Sequence, residues 1–213
     1  MELSLLLIFW YGILHAFGPD HLTAITDFSI GKEKKKTMLI TVLFAIGHGL
    51  SLFLFAKILQ HIDLSEEILG YGDLISGGVI LVMGVYLLYM VAAGQIHLNK
   101  HMHEGKEHIH IYFGREHKHE NAVVESSSFT MGLLMGAGGV RGMLVTLGAV
   151  GSGNVDMMMV AAFTAGVMLI FTGFGLVISY INENLLRSVR NVRVAFATAG
   201  AVSLAVGSSV LLG

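Results

Sequence analysis

The sequence predicts an all-α integral membrane protein of six transmembrane helices, arranged as a 3+3 inverted repeat. Three observations predict it. Of the 213 residues, 54% are apolar and only 13% are Asp, Glu, Lys or Arg, about half the charged share of soluble domains. The mean hydropathy is +0.72. The few basic residues are sorted between alternate loops, as the positive-inside rule requires of a multi-pass chain. Such a composition cannot cover a soluble surface with polar groups, which excludes a cytosolic enzyme or a disordered chain. A net charge of −2 gives no footprint for a nucleic-acid partner. The chain has no cysteine, so disulfides and thiolate metal sites are excluded.

A span needs about 20 mostly apolar residues. Residues 3–30, 37–60, 74–96, 129–150, 157–181 and 194–213 meet that need. The first stretch lacks the form of a signal peptide, with Glu2 where basic residues should stand and no small-x-small cleavage site. Three loops on one side hold Lys32, Lys34, Lys35 and Lys36, then Lys100, Lys106, Arg115 and Lys118, then Arg187, Arg190 and Arg193. That is eleven of the 13 basic residues. The other side holds Lys57 and the acidic run Asp63, Glu66, Glu67 and Asp73. Both termini are therefore expected outside a cell membrane, inner or plasma. The chain then divides into a first three-helix half (1–96), a cytoplasmic loop (97–128) and a second three-helix half (129–213). An odd number of spans per half is the signature of inverted repeats. Gly18-Pro19 and the run Gly136-Ala137-Gly138-Gly139 are expected to interrupt helices at matching places in the two halves.

Ionisable groups inside a bilayer are expensive and functional by default. The first span carries His15, Asp20, His21 and Asp27. On a straight helix His15 and Asp20 stand about 140° apart and His15 and His21 about 120°, so they share no face. Pro19 cannot donate to the carbonyl of His15 and its ring clashes there. The resulting break can turn the three side chains toward one point and free a carbonyl. His48 lies between Gly47 and Gly49, which admit another helix closely. His15, His48 and Arg141 each stand about 16–18 Å into their spans at 1.5 Å per residue, near the midplane. Imidazoles with a carboxylate suit nickel, cobalt, copper, zinc and iron. The plain alternative is a set of hydrogen bonds that tie helices together.

These residues resemble a known pattern. His15-x4-Asp20-His21 resembles the HxxxxDH motif of the nickel/cobalt transporter superfamily, and Leu22-Thr-Ala-Ile-Thr-Asp27 is similar to the continuation of that motif in the family. Phe44-Ala-Ile-Gly-His48-Gly49 resembles the family's second, Gly-His motif. Gly132-Leu-Leu-Met-Gly136 resembles its later Gly-rich segment. The resemblance implies a metal site of His15, Asp20 and His21, with His48 as a further ligand. It implies a transporter whose substrate is Ni2+ or Co2+, with no prosthetic group and no enzymatic activity. Where many family importers have an acidic residue in a Gly-Phe-Asp-Thr-like run, this chain has Gly139-Val-Arg141-Gly142. Arg141 is expected to pair with Asp20 or Asp27, as a structural group or a gate, with Pro19 and Asp27 supporting the site.

The loop on the basic side holds His97, His101, His103, His108, His110, His117 and His119, among four glutamates. His-rich tracts bind transition metals with low selectivity, and related exporters carry such loops, which leans the resemblance to efflux. A solvated polar loop is the plain reading. No phosphate-cradling GxxxxGK[ST] run is present, so an ion gradient or a partner chain must drive transport. Imidazole titrates near neutral pH and offers a route to proton coupling. Lipid contacts and homo-oligomer or partner chains are compatible with the glycine-rich faces. Three other functions stay open: a metal-delivery subunit that does not transport, a membrane haem protein with histidine ligands, and a membrane metalloenzyme, although no HExxH run is present.

Overall fold

The computed structural model describes residues 2–59, 61–62, 65–103, 106–113, 121–149 and 156–212. Among them it has seven helices: α1 (Glu2–Ala16), α2 (Pro19–Ser29), α3 (Lys34–Leu59), α4 (Glu66–Ala92), α5 (Asn121–Ala149), α6 (Met157–Asn184) and α7 (Val189–Leu212). A hairpin of β1 (Ile96–His103) and β2 (Lys106–Phe113) lies between α4 and α5. Helices α3 to α7 are each long and apolar enough to cross a membrane. The pair α1 and α2, bent by 58°, makes a sixth span when counted as one broken segment. The chain therefore has the architecture of a multi-pass membrane protein. Trp10, Val82, Tyr89 and Leu169 are exposed on its outside, as lipid-facing residues are.

The break between α1 and α2 falls where Pro19 demands it. Pro19 begins α2, the helical position at which its missing N–H costs nothing. The carbonyl of His15 is not freed as the sequence suggested. Gly18 N–H donates to it at 2.9 Å, and Phe17 N–H donates to Leu14 O at 3.2 Å. These tight turns close α1 before α2 departs in its new direction.

Helix α2 ends in a turn held from a distance. Gly31 adopts a φ of 75°, a region that L side chains rarely enter. Its N–H donates to Asn182 Oδ1 at 3.0 Å. The Asn182 amide donates in turn to the carbonyls of Ser29 at 2.8 Å and Lys32 at 3.0 Å. One α6 side chain thus satisfies three backbone groups of the α2–α3 connection.

The sequence expected the Gly136–Gly139 run to interrupt its helix, and it does not, because α5 is continuous through it. Glycine costs a helix only about 1 kcal/mol, and packing recovers this by close approach. A methyl at Gly136 would lie 2.6 Å from His48 O. Backbones meet at other glycines too. Gly12 and Gly166 bring α1 against α6, Gly47 and Gly132 bring α3 against α5, and Gly84 and Gly200 bring α4 against α7. Within lipid, this is how helices gain contact.

The stretch expected as a loop over 97–128 contains regular structure. The hairpin pairs Ile96 with Phe113 and His103 with Lys106, and α5 already begins at Asn121. Helix α4 stops at Ala92, ahead of the expected 96, and Gly94 follows with a φ of 63°. Ile96 anchors the hairpin in a buried cluster with Ile30, Leu186, Val192 and Phe196. That cluster gathers the α2–α3, α4–α5 and α6–α7 connections, and hence the basic loops, at one end of the bundle.

Candidate metal centre

His15 lies in the last turn of α1, His21 in the first turn of α2, and His48 mid-way along α3. The bend brings them together. Ring centroids are 4.7 Å apart for His15 and His21, 4.8 Å for His21 and His48, and 6.0 Å for His15 and His48. One nitrogen from each ring lies within 4.8 Å of the other two. Three nitrogens about 2.1 Å from one tetrahedral ion would be about 3.4 Å apart, so closing on a cation needs ring movements of about 1.4 Å or less.

The donors fit that task chemically. His48 is fully buried and His21 nearly so. The Nε2 atoms of all three rings, and Nδ1 of His48, are buried without a hydrogen-bond partner. Unsatisfied buried polar atoms are rare and call for an explanation such as an ion. The plain alternative, rings that bridge helices by hydrogen bonds, is poorly served by four partnerless nitrogens.

Asp20 stands behind His21 rather than among the clustered nitrogens. Its Oδ1 is 2.8 Å from His21 Nδ1. A carboxylate there accepts a hydrogen bond from Nδ1–H, which keeps the proton on Nδ1 and leaves Nε2 as the lone-pair donor. Gly18 makes the arrangement possible, since a methyl on it would lie 2.6 Å from Asp20 Oδ1 and 3.0 Å from His21 Nδ1.

Two groups that the sequence analysis did not assign to the site complete the walls. Phe163 packs on His15 at 5.2 Å, Phe171 on His21 and His48 at 5.6 and 5.4 Å, and Phe44 stacks on His48 at 6.2 Å. These rings keep water from the α3 and α6 sides. Opposite them lies the α5 backbone. A methyl at Gly139 would come within 3.1 Å of His15 Nε2 and 3.2 Å of His48 Nε2, and one at Gly142 within 3.1 Å of His15 Nδ1. For the glycines a signal was available: Gly132, Gly136, Gly139 and Gly142 recur every three or four residues, on one face of a helix.

A cleft of about 390 Å³ reaches the cluster, lined by His15, Asp20 and His21 together with Asp73, Arg141 and Val145. Arg141 stands at this cleft and reaches an acidic residue of another helix. Its guanidinium lies 3.6 Å from Asp73 Oδ2 on α4, and both side chains are substantially exposed. Asp27 faces away to α7, where Ser203 Oγ lies 2.7 Å from its Oδ2.

Of the seven loop histidines, His97 is exposed. The backbones of His101, His103, His108 and His110 lie in the hairpin, with His101 paired to His108, but their side chains lie outside the described residues, as do His117 and His119 entirely. No family model, curated protein or solved structure matches this chain.

Proposed function

We propose that this protein carries divalent transition-metal ions of the nickel and cobalt class across a membrane. The ion binds to His15, His21 and His48, and Asp20 orients His21. The observation that carries this reading is the meeting of two buried imidazoles and one half-buried one, all with buried, partnerless Nε2 atoms, beside a cleft in a bundle of membrane-crossing helices. Neutral imidazole is a borderline ligand that prefers such metals to calcium or magnesium. Rings grouped around one point suit a small cation better than a flat macrocycle, which weighs against haem.

The packing also supports an inverted repeat. Exchanging the halves α1–α4 and α5–α7 turns the α1–α6 glycine contact into the α5–α3 contact, and α4–α7 into itself. Both termini face outside in this reading, with the basic end of the bundle in the cytoplasm. Alternating access then comes from rocking one half against the other around the site.

Nickel and cobalt flux into and out of proteoliposomes tests the function. Wild type is expected to transport, and His21→Ala to reduce flux at least tenfold while keeping its fold. Stoichiometric metal binding without flux in either direction points instead to a metal-delivery subunit. Absence of binding overturns the metal reading altogether.

A further inference from the structure

A second buried polar site lies on α2, away from the histidines. Asp27 is only 8% exposed and its Oδ1 is buried without a hydrogen-bond partner. Ser203 of α7 is fully buried. Its Oγ lies 2.7 Å from Asp27 Oδ2 and 2.8 Å from Ala199 O. Helices α3, α4, α5 and α6 also pack against α2. Among the described residues, none of them places a charged or titratable side chain in bonding range of Asp27.

Counting protons decides between two states. A hydroxyl has one hydrogen, so Ser203 cannot donate to both oxygens. With Asp27 ionised, the carboxylate is buried in a membrane-crossing bundle with one donor, no counter-ion and an orphan oxygen, a costly state. It also leaves one of the two short Ser203 contacts without a hydrogen. With a proton on Oδ2, Asp27 donates to Ser203 Oγ and Ser203 donates to Ala199 O. Both contacts are then hydrogen bonds and no charge is buried.

We propose that Asp27 is a proton-binding site, neutral at rest, that releases its proton when a divalent cation occupies the histidine cluster. This coupling rests on the metal reading above. The two sites share the 11-residue helix α2. Six residues separate His21 from Asp27, about 9 Å of helix at 1.5 Å per residue. A divalent charge at that distance in a low-dielectric interior favours the carboxylate over the acid. The transfer is a plain exchange: the O–H bond of Asp27 breaks, the proton leaves to solvent, and Ser203 turns its hydrogen from Ala199 O to Oδ2.

Infrared spectroscopy of the purified protein with nickel titration tests both parts. Wild type at neutral pH should show a protonated-carboxyl C=O band that is absent in Asp27→Asn. Nickel should bleach that band. Asp27→Asn should still bind nickel but release about one proton fewer per ion than wild type into weakly buffered medium. If Asp27→Asn does not fold, heavy-carbon labelling of aspartate carboxyls in wild type identifies the band, and Ser203→Ala should shift it. A wild-type spectrum without the band overturns the proton site. A band unmoved while calorimetry records nickel binding overturns the coupling. A band in protein that binds no nickel upholds the proton site and overturns the metal reading, and the coupling with it.

Discussion

His21 works through both ring nitrogens, and the two contacts depend on each other. Asp20 Oδ1 sits 2.8 Å from Nδ1, so the lone pair is left on Nε2, which is buried without a hydrogen-bond partner. Outer partners of this kind are worth 10- to 100-fold in metal affinity. Asp20→Asn should therefore weaken nickel binding by about 10- to 100-fold with the histidines intact, as read by calorimetry. Unchanged affinity would remove Asp20 from the site. Gly139 is the complementary case. Its missing side chain leaves the space beside His15 Nε2 and His48 Nε2. Gly139→Ala adds one methyl there and replaces a poor helix former with a good one. It should reduce affinity at least tenfold without lowering thermal stability, a combination that a merely structural glycine would not give. Asp20, His21 and His48 were legible as candidates because ionisable residues stand out in apolar helices. The three phenylalanines were not, since phenylalanine is ordinary in membrane helices; Gly139 showed only as part of a glycine-lined helix face, and its neighbours alone reveal the role.

Helix α2 shows what an element contributes. It starts at a break and ends at a clamped turn, so it is a short rod fixed at both ends. The break could be read from Gly18-Pro19, because proline acts on its own backbone. The fate of the His15 carbonyl could not, because Gly18 N–H takes it only once the chain has turned. The clamp was invisible: Asn182 lies 151 residues from Gly31, and nothing local marks an asparagine near a helix end as a tertiary anchor. Asn182→Ala leaves partly buried backbone groups of the turn with fewer partners, at about 1–3 kcal/mol. Denaturation in detergent should show that loss, whereas Asn184→Ala, whose amide bonds only its own helix at Tyr180 O, should stay within about 0.5 kcal/mol.

At the scale of the molecule, three features align. The basic loops gather at one end around the Ile30, Ile96 and Leu186 cluster. The broken span leads into the histidine cluster. The cleft that reaches it is lined by Val145 and the Asp73–Arg141 pair, which lie toward the opposite ends of α4 and α5. In the orientation proposed above, with the basic end in the cytoplasm, the cleft would open outward. The chain has no cysteine, so a single Val145→Cys gives labelling without background. An impermeant thiol reagent should modify it in intact cells, and nickel should slow the reaction. Labelling only after permeabilisation would invert the topology. Arg141 at this mouth repels cations by itself and is offset by Asp73, an arrangement that suits a charge-balanced opening rather than a ligand.

Spans, sidedness of charge and the candidate ligands came from the sequence because each depends on a transfer cost. Apolar runs avoid water, lysine and arginine stay in particular loops, and a buried histidine or aspartate is tolerated only with a reason. These are one-residue or one-helix properties, and composition and spacing record them. Which polar groups meet is a property of pairs distant in the chain. Tertiary structure alone placed Asp20 behind His21, turned Asp27 to Ser203, paired Arg141 with Asp73 and kept α5 continuous through its glycines. Each outcome depends on what another helix presents a few ångströms away, and backbone approach at glycines sets that distance.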